Sequence, residues 1–143
     1  MDARELMIGD WARIRYNHFE TGEEIVKDFR VGQLAKLGLG DDEPLYVWSE
    51  KSNMDKVSKV EPIPLTPEIL EKNGFVQNPR SKSRRSHQIC TDSVYISWWR
   101  GRLNILFKPF IGHSTNHVNV DGKYVHELQH ALRMCGIEKD IVL

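Results

Sequence analysis

The sequence predicts an α+β protein, rich in strands over its first sixty residues and closed by a helix. Three observations carry that prediction. Short apolar segments alternate with turn residues before residue 62, Thr66-Pro67 and Asn73-Gly74 bracket a short helix, and Tyr124 to Cys135 has an apolar helical stripe ended by Gly136. The composition, 40% hydrophobic and 28% charged, supports a packed core and gives no signature of disorder.

Gly9-Asp10 is a turn dipeptide that leads into Trp11–Tyr16, where Ala12, Ile14 and Tyr16 alternate with Trp11, Arg13 and Arg15 as in a half-buried strand. Glu24 to Ala35 carries Ile25, Phe29, Val31 and Leu34 in a less regular pattern, with a bulge or break expected near Asp28. Gly38 to Pro44 reads as a loop. Leu45–Trp48 and Lys56–Val60 are further strands. So many short strands suggest a small, strongly bent sheet of SH3-like type.

Glu61-Pro62-Ile63-Pro64-Leu65 runs extended, since proline lacks an amide donor and restricts the residue before it. Thr66 then offers a capping hydroxyl, Pro67 suits the first helical position, and Gly74 stops the helix, giving residues 67–73 packed through Ile69 and Leu70. Residues 78–86 form a polar basic loop. His87–Thr91, Val94–Trp99 and Leu103–Phe107 read as strands, the last two joined by a tight turn centred on Gly101. Asp121-Gly122 turns the chain into the helix at 124–135, and Asp140–Leu143 reads as a final edge strand. Two parts are expected: residues 1–62, a small β-rich subdomain, and residues 63–143, an α+β subdomain.

The formal net charge is zero but uneven. Residues 1–78 hold 10 Lys+Arg against 15 Asp+Glu, and residues 79–143 hold 10 against 5. Within residues 79–102 Arg80, Lys82, Arg84, Arg85, Arg100 and Arg102 face only Asp92, with Tyr95, Trp98 and Trp99 beside them. Cations neutralise phosphates, and an aromatic on an exposed sheet face can stack on an unpaired base. Alternation puts Trp98 and Trp99 on opposite faces, one in the core and one outside. The candidate nucleic-acid-binding set is therefore Arg80, Lys82, Arg84, Arg85, Trp99, Arg100 and Arg102. A solvated loop beside a hairpin with core tryptophans is the plainer alternative.

His126-Glu127-Leu128-Gln129-His130 matches H-E-x-x-H formally. Histidines four apart share one helix face and can hold zinc, while the glutamate can serve as base to a bound water. Yet a catalytic zinc needs a third protein ligand, and only 13 residues follow His130. Nothing in the sequence places His113 or His117 beside the pair. His126 and His130 lie nearly opposite the arc of Val125, Leu128, Ala131, Leu132 and Cys135, on a face expected to be solvated or partner-facing. Gly38-Leu39-Gly40 lacks the further glycine and lysine of a phosphate loop. Cys90 and Cys135 sit in no metal-ligand spacing and read as reduced, partly buried thiols. The expectation is no catalytic residue, no metal and no cofactor.

Two stretches, Glu61-Pro-Ile-Pro-Leu-Thr-Pro-Glu-Ile-Leu-Glu-Lys-Asn-Gly-Phe75 and Lys123-Tyr-Val-His-Glu-Leu-Gln-His-Ala-Leu-Arg-Met-Cys-Gly-Ile137, cover about a fifth of the chain. They resemble segments of small proteins of unknown function from gut Bacteroides-type bacteria and their prophages or mobile elements. The resemblance implies that context and supplies no mechanism; residues 79–120 do not share it. The reading that follows is a non-enzymatic binding or accessory protein of a phage or mobile element, partnered by nucleic acid or by a phage or host protein. The alternatives are a zinc-dependent hydrolase using His126, Glu127 and His130, and a structural or assembly component. The charged start leads into no apolar segment and no run reaches membrane-spanning length, so a cytoplasmic protein without a membrane partner is expected.

Overall fold

A computed structural model describes residues 6–36, 45–49, 54–56, 60–79, 86–108 and 117–143. The fold is α+β and strand-rich, with two five-stranded antiparallel sheets, a short central helix and a helix near the C-terminus. It divides into two compact units, Met1–Ile63 and Pro64–Leu143.

In the first unit, β1 (Trp11–Asn17) pairs on one side with β2 (Glu24–Lys36) and on the other with β5 (Val60–Glu61). Beyond β2 lie β3 (Leu45–Ser49) and β4 (Met54–Lys56), giving the order β4-β3-β2-β1-β5. Alternation along β1 buries Ala12 and Ile14, and Ala12 joins Leu6, Val31, Val47 and Val60 in the core, with Phe29 and Leu34 against them. The irregularity of β2 falls at Gly32, which the pairing with β3 skips between Val31 and Gln33, and not at Asp28. Asp28 stays in register opposite Arg13 because the two form a paired hydrogen bond, Nε–Oδ1 2.7 Å and Nη2–Oδ2 3.0 Å. Asp10 is fully buried at the turn before β1, where its carboxylate accepts from the Met7 amide at 2.8 Å. Of the strand expected over Lys56–Val60, Lys56 lies in β4 and Val60 in β5; residues 57–59 and the expected loop 38–44 lie outside the described residues.

The second unit opens with α1 (Pro67–Lys72). Thr66 is extended (φ −114°, ψ 159°) and its hydroxyl accepts from the Ile69 amide at 3.4 Å, while Pro67 fills the first turn without wasting an amide. Gly74 (φ +83°) ends the helix, and the Phe75 amide reaches back to the Leu70 carbonyl at 3.0 Å. That left-handed residue is the one L side chains resist, so the helix cannot run on. The same closure recurs at Gly136 (φ +70°), with Ile137 N–H bonded to the Leu132 carbonyl at 2.9 Å. It ends α2 (Val125–Met134).

Between the helices runs a meander of β6 (Val76–Gln77), β7 (His87–Cys90), β8 (Val94–Trp99), β9 (Arg102–Phe107) and β10 (His117–Asp121), ordered β10-β9-β8-β7-β6. Val94, Ile96, Leu103 and Ile105 point to one face and are buried; the unit also buries Leu70, Phe75, Val125, Leu128, Leu132 and Ile141. Residues 140–143 form no strand, contrary to the sequence pattern. Asn73, 2% exposed, holds them instead: its amide donates to the Ile69 and Val142 carbonyls at 2.7 Å each and accepts from the Val142 N–H at 2.9 Å. The backbone of Val142 therefore finds its partners in a side chain and needs no neighbouring strand.

Candidate nucleic-acid interface

The turn between β8 and β9 has only two residues, Arg100 (φ +47°) and Gly101 (φ +75°). Positive φ at both positions matches the twist of the flanking strands, and asparagine, aspartate or glycine usually fills the first. An arginine there costs on the order of 1–2 kcal/mol. Its guanidinium lies over the Trp99 ring, 4.8 Å from the centroid.

The neighbouring tryptophan sets this geometry. Trp98 points to the inner face, and its indole N–H donates to the Gly122 carbonyl at 2.6 Å. Gly122 leaves no room for a side chain: a Cβ would sit 2.6 Å from Leu103 Cγ and 3.2 Å from Trp98 Cδ1. The Gly122 amide in turn donates to the Gly101 carbonyl at 2.9 Å, tying the hairpin to the turn before α2. With Trp98 anchored inward, the strand period sends Trp99 outward, where it is 39% exposed.

The pairing register assembles the rest of that outer face. Trp99 lies opposite Arg102, Ser97 opposite Asn104 and Gln88, and Tyr95 opposite Leu106 and Cys90. On the edge strand Asp121 faces Arg102 and Asn119 faces Asn104, whose amide donates to Asn119 at 2.7 Å. The Tyr95 hydroxyl donates to the Gln88 side-chain carbonyl. Partial burial, and secondarily the charge of Cys90, raises the Tyr95 pKa, so its hydroxyl stays protonated. At the far end Lys108 Nζ reaches the Thr91 carbonyl at 2.6 Å and Cys90 Sγ at 3.0 Å. The face thus carries Arg100, Arg102 and Lys108 against Asp121, among uncharged amides, hydroxyls and two aromatics.

Of the residues singled out from sequence, the structure brings Trp99, Arg100 and Arg102 together at one end of this face. Arg80, Lys82, Arg84 and Arg85 lie outside the described residues. Lys108, Gln88, Asn104 and Asn119 were missed, because only the register of four strands places them together. The one available signal was the outward alternation along Gln88, Tyr95, Ser97 and Asn104.

The H-E-x-x-H segment has another arrangement. His126 is 2% exposed and not solvated; its ring stacks on Tyr124 (5.8 Å, 9°) and meets His130 edge-on at 5.7 Å. Gln129 is also buried, so α2 is covered well beyond its apolar arc. Glu127 Oε2 accepts from the backbone N–H groups of Lys123 (2.7 Å) and Tyr124 (3.0 Å), the work of a helix cap. Among the described residues no group of three His, Cys, Asp or Glu is placed to hold a metal ion. His117 is on β10, exposed, and His113 lies outside the described residues.

His87, 3% exposed, packs edge-on against Trp98 and meets Glu71 of α1 through Nε2 at 2.9 Å. Both cysteines are free; Cys90 is exposed, not partly buried as expected, because its alternation places it on the outer face. No helix among the described residues is long and apolar enough to cross a membrane. No family model, curated protein or solved structure matches the chain.

Proposed function

We propose that this chain is a non-enzymatic accessory protein that contacts nucleic acid through the β8–β9 hairpin and the outer face of its sheet. One observation carries the reading. A turn position suited to asparagine or glycine holds an arginine in a costly backbone conformation, with its guanidinium on an outward tryptophan. A planar cation and an indole at the tip of a basic hairpin are the groups that engage phosphates and bases.

The cations of the segment at 80–85 extend the same charge in sequence. The resemblance of residues 61–75 and 123–137 to proteins of Bacteroides-type mobile elements supports a phage or mobile-element setting. The strand order β4-β3-β2-β1-β5, with the long β2 at its centre, supports an SH3-like reading of the first unit. The capping role of Glu127 weighs against the hydrolase reading.

The test is binding of labelled single- and double-stranded DNA and RNA between about 50 and 200 mM salt. Affinity should fall steeply with salt. Neutralising Arg100 and Arg102 together should flatten the plot of log affinity against log salt by about 1.4 to 1.8, at roughly 0.7 to 0.9 for each phosphate contact. Absence of binding to all probes at the lower salt would overturn the proposal.

A further inference from the structure

The geometry points to a single strand as the partner of this face, its unpaired bases stacked at Trp99 and Tyr95 and its phosphates held by Arg100, Arg102 and Lys108. This rests on the nucleic-acid reading above and narrows it.

The shape of the surface decides against a duplex. Five antiparallel strands about 4.8 Å apart make a broad surface, whereas a duplex major groove about 12 Å wide admits a helix or a two-stranded ribbon. Duplex grooves also hide the faces of the bases, and an aromatic on a sheet gains its contact from those faces. Trp99 and Tyr95 lie on the same side of β8, four residues or about 13 Å apart. Arg102 and Lys108 bound the same stretch of β9, six residues or about 20 Å apart. A chain of a few nucleotides spans that length, near the lower end of known site sizes of about 4 to 16 nucleotides.

Between the two aromatics lie Ser97, Asn104 and Asn119, with Gln88 beside Tyr95. Their amides and hydroxyl are uncharged and offer both donors and acceptors, the chemistry that meets base edges. The charge of the face fits the same occupant: three cations, Arg100, Arg102 and Lys108, against Asp121, with His117 in the same outer row opposite Leu106. Arg100 lies on the indole, and a base that stacks there takes its place as the guanidinium swings to the adjoining phosphate.

Oligonucleotides of about eight residues, as RNA, as DNA, and as each annealed to its complement, would be titrated against the whole chain at about 0.1 M salt. Single strands should bind at least roughly tenfold more tightly than the duplexes. Trp99→Leu should weaken single-strand binding roughly tenfold, Trp99→Phe should recover most of the loss, and Tyr95→Leu should weaken it several-fold. Circular dichroism of each variant separates lost stacking from lost folding. A preference for RNA would assign contacts to the 2′-hydroxyl and equal binding would assign them to base and phosphate; both support the inference. Equal affinity for single strand and duplex, or a folded Trp99→Leu variant with unchanged affinity, would overturn it and leave charge-driven binding standing. Binding to no probe would overturn the underlying reading as well.

Discussion

Arg100 sets stability against binding in a single side chain. Asparagine tolerates the left-handed region that Arg100 occupies, so Arg100→Asn should stabilise the fold by about 0.5–1 kcal/mol in urea unfolding while weakening nucleic-acid binding. A substitution that stabilised the fold and left binding intact would remove Arg100 from the interface. Asn73 is the opposite case, a buried amide whose role is wholly structural. Asn73→Ala removes three hydrogen bonds and strands the backbone of Val142, which should cost about 2–4 kcal/mol. Residues like these show what a sequence makes legible. The opposite orientations of Trp98 and Trp99 follow from strand period alone. Asn73 and His126 do not, because a buried polar residue is recognised by partners that folding supplies, and those of Asn73 include a residue 69 positions away.

Elements were legible where their ends carry chemistry. Thr66-Pro67 and Gly74 delimit α1, and Gly136 stops α2, as local dihedral preference requires. β6 and β10 escaped because edge strands of two and five residues, one of them rich in His, Asn and Asp, exist by pairing more than by propensity. Glu68, in the first turn of α1, accepts from its own backbone N–H and from the Thr66 hydroxyl, which lowers its pKa. Its contribution to stability is therefore complete above the ordinary carboxylate range and is lost as pH falls through the lowered value. Glu68→Gln should have a lower urea midpoint than the parent at neutral pH, with the gap closing as pH falls through that lowered value. Glu127→Ala takes the cap from α2 and should cost about 1 kcal/mol, read from the same urea curves.

At the scale of the whole molecule, the fold class was legible and the arrangement of the site was not. Alternation, proline punctuation and two capped helices suffice for α+β, whereas the outer face exists only through pairings between strands that sequence alone leaves unregistered. Charge was legible at this scale too. Residues 1–63 hold 9 Lys+Arg and 13 Asp+Glu, while residues 64–143 hold 11 and 7, so a net charge of zero is −4 on one unit and +4 on the other. Such a molecule should attract its own copies at low ionic strength, with light scattering falling as salt rises towards about 0.15 M, where screening acts over roughly 8 Å. Association that persists at high salt would instead indicate an apolar contact and favour an assembly role.

Cys90 gives the outer face a chemical handle. It is exposed in the row that holds Tyr95, whereas Cys135 is half-buried and its pKa is raised by that burial, which lowers its thiolate fraction at neutral pH. A maleimide dye should therefore mark the sheet surface selectively without any engineered cysteine. Because Cys90 lies opposite Tyr95 and its Sγ meets Lys108, the dye would sit in one end of the proposed site, and labelling alone should weaken single-strand binding.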